Sequence, residues 1–127
     1  MAEVVEARIT MSIDLKKYRL RVHKQTLKAL GSPAFVQLLF SPRRNSIVIL
    51  RCEKQTPSGQ EIPVQFDKPD SSGTFDIYCK ELITRIQIEF NGLNHEGLYH
   101  LTGFLLPEGK GVCFPLNTLS RVENANV

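Results

Sequence analysis

Apolar and polar residues alternate strictly over Glu6–Leu15, the first clearly patterned stretch of the chain. A period of two over ten residues is typical of a strand with one buried face. After a short turn the alternation resumes over Tyr18–Val22, where it places Arg19 and Arg21 on the outer face. The pattern therefore predicts two strands whose outer faces are polar.

The period then changes to that of a helix beginning near His23, with Leu27 and Leu30 on one side. Gly31 and the Ser-Pro pair after it predict the helix end, because glycine accepts the left-handed cap and proline cannot continue a helix. Two β-rich runs follow, at Ala34–Phe40 and Ser46–Cys52. They predict a hairpin with a polar tip.

The next apolar alternation, over Ile62–Phe66, predicts an edge strand, because Pro63 has no N–H to donate to a neighbouring strand. The second half of the chain then repeats the order of strand, helix and hairpin. The segments concerned are Phe75–Ile77, Lys80–Arg85, Leu98–Leu106 and Val112–Leu116. A helix is favoured from about Lys80, although the alternation from Ile86 to Phe90 also fits a strand.

These elements predict one domain over residues 1–127, with one β-α-β-β unit at about 16–53 and a second at about 73–117. The expected fold class is α+β, with mostly antiparallel strands and one or two short helices. Two units of this order in one chain are similar in topology to a domain of a DNA sliding clamp, which is the alternative architecture.

Composition indicates a globular chain, with 42% hydrophobic and 23% charged residues. No apolar run approaches the roughly 20 residues of a membrane span, and the N-terminal segment lacks the basic and apolar regions of a secretion signal. We therefore expect a cytoplasmic protein without a membrane partner.

Charge is divided unevenly between the two halves, although the whole chain carries only +3. Residues 1–54 hold eleven Lys/Arg and four Asp/Glu, whereas residues 55–127 hold five and nine. Such asymmetry favours a polyanion partner for the first half, or attraction between the two halves within or between chains. The candidate nucleic-acid contacts are Arg19, Arg21, Lys24, Lys28, Arg43 and Arg44.

Part of this basic region, Arg19–Ser32, resembles the opening of the AbrB/MazE type of swapped-hairpin DNA-binding domain, and the resemblance extends over residues 18–52. Leu20 and Val22 match the first strand of that family, and Lys24 matches its lysine. His23 stands where the family usually has proline. The resemblance implies a homodimer with interleaved hairpins that binds duplex DNA, with Arg19, Arg21 and Lys24 as contacts.

Catalytic and metal sites find little support in the sequence. The chain has no nucleophile elbow and no phosphate-binding loop, and its three cysteines form no C-x-x-C pair. His95, Glu96 and His100 do not have the spacing of a zinc motif. We therefore expect no enzyme, cofactor, metal or small-molecule substrate.

Two functional hypotheses follow from these observations. The first is a non-catalytic DNA-binding regulator or DNA-associated accessory module with a basic face in the N-terminal half. The alternative is a protein–protein interaction or structural module that assembles through its basic and acidic halves.

Overall fold

The structure is a computed structural model that describes residues 9–54, 56–57, 59, 61–66, 73–89 and 97–121. Its strands are β1 (Ile9–Asp14), β2 (Arg19–His23), β3 (Phe35–Ser41), β4 (Ser46–Cys52), β5 (Ile62–Pro63), β6 (Thr74–Tyr78), β7 (Leu98–Leu105), β8 (Gly111–Pro115) and β9 (Ser120–Arg121). The helices are α1 (Lys24–Ala29) and α2 (Lys80–Glu89), and short 3-10 turns lie at Pro107–Gly109 and Leu116–Thr118.

All nine strands join one antiparallel sheet in the order β5-β3-β4-β8-β7-β1-β2-β6, with β9 paired to β7. The sheet curls into a half-barrel, and strands make up 48% of the described residues. The α+β prediction is therefore wrong, and the fold is better described as all-β. The order strand, helix, strand, strand does occur twice, but β1, β5 and β9 add strands outside both units, and α1 has only six residues.

The local predictions for the first half are confirmed by the strand and helix boundaries. Leu20 and Val22 of β2 are fully buried. Helix α1 ends in two backbone bonds, from the Gly31 N–H to the Lys28 carbonyl at 3.0 Å and from the Ser32 N–H to the Leu27 carbonyl at 2.8 Å. With Gly31 at φ +83°, this is the Schellman arrangement that satisfies the last carbonyls of a helix.

Three further predictions agree with the structure. The two β-rich runs form the hairpin of β3 and β4, β5 lies at the edge of the sheet, and a helix begins at Lys80. Of the predicted elements, Glu6–Arg8 and Phe90 lie outside the described residues.

The core fills the concave side of the curled sheet. Its fully buried side chains come from the inward positions of the strands and from the apolar sides of both helices. The largest are Phe114, Met11, Ile13, Leu15, Leu20, Leu27, Leu30, Ile47, Ile49, Ile83, Ile86 and Leu101. Among the described glycines, Gly103 has the closest neighbour, because an added Cβ there would lie 2.6 Å from Cδ1 of Phe114.

The two helices pack at opposite ends of the β3–β4 hairpin. A Cβ placed on Gly31, just after α1, would lie 3.4 Å from Nη1 of Arg51, near the end of β4. The guanidinium carbon of Arg85 in α2 lies 4.7 Å from the ring centre of Phe40, near the end of β3. Seven-residue strands rise roughly 3.3 Å per residue, which separates these ends by about 20 Å. The clamp-like alternative belonged to the same α+β prediction, and the single curled, mostly antiparallel sheet overturns it as well.

Candidate nucleic-acid interface

Arg19 and Arg21 project from the outer face of β2, as the alternation predicts, but both contact carboxylates. Nε of Arg21 donates to Oδ1 of Asp76 at 2.9 Å, and its Nη2 donates to Oδ2 at 3.2 Å. Nη2 of Arg19 donates to Oδ2 of Asp14 at 3.3 Å, and its Nη1 lies 3.9 Å from Asp76. The Arg19 side chain is only 15% exposed. These pairs neutralise the charge of β2.

Lys24 and Lys28 lie on α1, and their surroundings differ. Nζ of Lys24 is 4.7 Å from the ring centre of Phe66, which is within cation–π range. Lys28 is exposed in the last turn of α1, where a cation is favourable beside the helix carbonyls. Both lysines therefore belong to the α1 end of the sheet.

Arg43 and Arg44 are exposed at the tip of the β3–β4 hairpin. This tip lies at the α2 end, about 20 Å from the α1 end by the strand rise. The six predicted contacts therefore divide into three places and do not form one surface. Two lie on a neutralised strand, two lie at the α1 end, and two lie at the α2 end.

The α2 end gathers a different set of cations. Nζ of Lys80 lies 5.6 Å from the ring centre of Tyr18, which follows directly after Lys17 in the β1–β2 turn. Arg85, one and a half turns further along α2, lies over Phe40, three residues before Arg43. We call this set the α2-end cluster. It consists of Lys16, Lys17, Arg43, Arg44, Lys80 and Arg85.

All six members of the α2-end cluster are exposed, and none of them forms an ion pair with another residue that the structure describes. Glu81 and Glu89 are the acids exposed on α2, so the cluster retains a surplus of positive charge. By contrast, Arg51 and Lys110 at the α1 end have acidic partners, Glu53 at 3.4 Å and Glu108 at 3.3 Å.

The six candidate contacts predicted from the sequence do not include Lys80 and Arg85, which belong to the acidic half of the chain; only the comparison with a sliding clamp made these two residues contacts. Their helix is brought to the first half by the Cys79 N–H, which donates to the Tyr18 carbonyl at 3.0 Å. A usable signal was the aromatic residue near each basic turn, Tyr18 and Phe40, onto which a long cationic side chain can fold.

His23 occupies the N-cap position of α1, without a side-chain capping hydrogen bond, at the opposite end from the α2-end cluster. Burial, followed by the positive charge of Arg21, holds the pKa of its imidazole below the usual range. Oγ of Ser12 lies 3.5 Å from its Nε2. A neutral imidazole in this position is suited to packing and not to phosphate binding.

The described residues offer small, open pockets. One of them, about 170 Å³, is lined by Ser12, Ile13, Asp14, Arg19, Arg21, Leu98 and Tyr99. No group of three or more His, Cys, Asp or Glu side chains that could hold a metal ion occurs within the described ranges. His95 and Glu96 lie outside those ranges.

Comparison with known proteins gives no further guidance. Among the residues that the structure describes, no helix has the length and apolar character to cross a membrane. A scan against protein-family models, a search of curated proteins and a search of solved structures each found no match. Function therefore has to be inferred from the geometry of the side chains themselves.

Proposed function

We propose that the chain is a non-catalytic DNA-binding module that contacts the duplex backbone through the α2-end cluster. The observation that carries the proposal is the convergence of three separate segments on one end of the sheet. The β1–β2 turn, the hairpin tip and α2 each contribute two exposed cations. Of the residues predicted from the sequence, Arg43 and Arg44 are retained as contacts.

The magnitude of the effect follows from counterion release. Duplex DNA carries one negative charge per roughly 1.7 Å of axis, so about 20 Å of duplex presents more phosphates than the cluster has cations. With six phosphate contacts, the logarithm of the binding constant falls with the logarithm of salt concentration with a slope of about −5. No base-reading residue is assigned, so the proposed binding depends mainly on the phosphate backbone.

A cytoplasmic location belongs to the same proposal. Cys52, Cys79 and Cys113 are all free thiols, which suits a reducing compartment. The resemblance to the swapped-hairpin family remains a prediction, and the proposal does not depend on it.

Assembly through opposite charges of the two halves is the weaker candidate function. Asp76, from the acidic half, already pairs with Arg21 and Arg19 of the basic half within one chain. Attraction between the halves is thus partly satisfied inside the monomer, and fewer of these groups remain for a second chain.

Fluorescence anisotropy with a labelled DNA duplex, measured across a salt series, tests the proposal. Replacing Arg43 and Arg44 by alanine should flatten the salt slope by about 2, because two phosphate contacts are lost. The matched control is Lys28→Ala/Lys54→Ala, which removes two exposed cations that do not belong to the cluster. That control should leave the slope close to the wild-type value.

Two results would overturn the proposal. One is the absence of binding at low salt, where cationic contacts are strongest. The other is an equal loss of slope in the cluster variant and in the control, which would mean that net charge alone, and not the α2-end cluster, governs binding.

A further inference from the structure

The outer side of β3, β4, β8 and the end of β7 is largely apolar, with Gln37 of β3 and the Ser41–Ser46 pair as its polar members. Leu39 pairs with Val48, Val48 with Cys113, and Cys113 with Phe104, so the four form one row across four strands. Because side chains alternate along a strand and Ile47, Ile49, Val112 and Phe114 point into the core, this row points outward. We call it the outer apolar face, and it is extended by Phe35 and Leu50.

None of these six residues belongs to the core cluster or packs against it from the outside. The same sheet behaves differently in its other half, where Ser12 of β1 and Arg21 of β2 lie on the outer side. A half-solvated antiparallel sheet normally shows that second pattern. The run Ile47–Leu50 instead has the continuous apolar character of a strand that is buried on both faces.

The outer apolar face has an exposed apolar side chain near each edge, which forms a ridge there, and a covered centre between the two ridges. Leu39 is 39% exposed and Phe104 is 52% exposed, whereas Cys113, on the strand next to Phe104, is only 2% exposed. Three strand spacings of roughly 4.8 Å set the ridges about 14 Å apart. When a two-fold axis relates two copies, the ridges of one copy can pack beside those of the other across the contact.

Charge at one border of the face distinguishes the possible occupants. The border carries two bases and two acids, in the pairs Arg51–Glu53 and Lys110–Glu108. A neutral border gives no attraction to a nucleic acid or an anionic lipid surface, but two copies can approach there without net repulsion. At the opposite border the hairpin tip carries the exposed Arg43 and Arg44, so the neutral border is the one at which a second copy is favoured.

The size of the face agrees with this occupant. The face comprises seven residues each of β3 and β4, five of β8 and two of β7, which at roughly 4.8 Å spacing and 3.3 Å rise cover about 330 Å² in projection. Side-chain relief and the charged border add accessible area, so the face approaches the roughly 500 Å² per partner of a small specific interface. We propose that two copies of this chain pack their outer apolar faces together as a two-fold β-sandwich dimer, a contact independent of the α2-end cluster.

Sedimentation velocity on the full chain tests this dimer. The wild-type chain should sediment at twice the chain mass and stay dimeric at about 1 M salt, because apolar contacts are not screened. The variant Leu39→Ser/Phe104→Ser should raise the dissociation constant at least 100-fold, roughly what is expected when two apolar anchors are removed from both copies. Far-UV circular dichroism should show an unchanged strand signal.

The control variant Tyr78→Ser/Ile88→Ser removes two apolar side chains that are 67% and 70% exposed and lie outside the outer apolar face. It should dimerise like the wild type. A second measurement uses the unmutated chain: carbene footprinting should label Leu39 and Phe104 less as the protein concentration rises, while labelling of Tyr78 and Ile88 stays constant.

Three results would overturn the dimer. The first is a wild-type chain that stays monomeric at concentrations up to about 100 μM. The second is an equal rise of the dissociation constant in the face variant and in the control variant. The third is carbene labelling of Leu39 and Phe104 that does not change with protein concentration. If the variant Leu39→Ser/Phe104→Ser fails to fold, the footprinting of the wild-type chain still tests whether the outer apolar face is buried in a dimer.

Discussion

Asp76 and Arg21 face each other across β6 and β2, and a double-mutant cycle can measure what this contact contributes to stability. The two hydrogen bonds, at 2.9 and 3.2 Å, join side chains that are 20% and 36% exposed. Exposed ion pairs contribute about 0.2–1 kcal/mol, and well-formed bonds to charged groups about 1.5–3 kcal/mol. Because both side chains are partly buried, we expect a coupling free energy between these two ranges, about 1–1.5 kcal/mol.

The two single substitutions should differ in cost. Asp76→Ala should lower the free energy of unfolding by about 2–3 kcal/mol, because it also leaves the largely buried Arg19 with Asp14 as its one remaining acid. Arg21→Met keeps the aliphatic stem and should cost about 1–2 kcal/mol. Urea unfolding of the wild type, both single variants and the double variant gives the coupling.

High salt serves as the internal control for this cycle. At about 1 M salt the coupling should shrink without vanishing, since screening weakens the charge attraction while the hydrogen-bond geometry persists. A coupling below about 0.3 kcal/mol would lie within the usual error of additivity and would refute the reasoning. Arg21 would then be held too weakly to count as neutralised, and its removal from the nucleic-acid interface would be wrong.

Two further substitutions test other parts of the structure. Burial and the charge of Arg21 lower the pKa of His23 in the folded chain, so the unfolded chain binds more protons near pH 6.5. The free energy of unfolding should therefore fall as the pH drops below 6.5. Urea titrations at several pH values should show a smaller fall for the variant His23→Asn. Gly103→Ala should lower the free energy of unfolding, measured by thermal unfolding, by about 1–3 kcal/mol, because the added Cβ would lie 2.6 Å from Phe114. A change under about 0.5 kcal/mol would contradict the pairing of β7 with β8.

Local pattern predicted much of this chain correctly. Strand periods, the glycine at the end of α1 and the proline of β5 act within a few residues, and each predicted element has a counterpart in the structure. The predicted fold class was wrong because local pattern identifies single strands and helices but does not show that all the strands join one sheet. The two β-α-β-β units are joined into one curled sheet by the pairing of β4 with β8 and of β2 with β6, and by β1, which lies between β7 and β2.

The hairpin arginines show how far the candidate site could be predicted. Arg43 and Arg44 remain in the proposed interface because a tight turn must expose its tip, and that follows from the sequence alone. Lys24 and Lys28 were expected beside them because they are close in the chain. The length of β3 and β4 instead separates helix α1 from the hairpin tip.

The sequence by itself determined which sides of β1 and β2 face outward, where α1 and α2 begin, and that the first half is rich in cations. Only the tertiary structure decided which charges meet. Asp76 lies fifty-five residues after Arg21, yet antiparallel pairing of β2 and β6 places them opposite each other. A period of two fixes the direction of a side chain but carries no information about its partner across the sheet, because strand register is a long-range property.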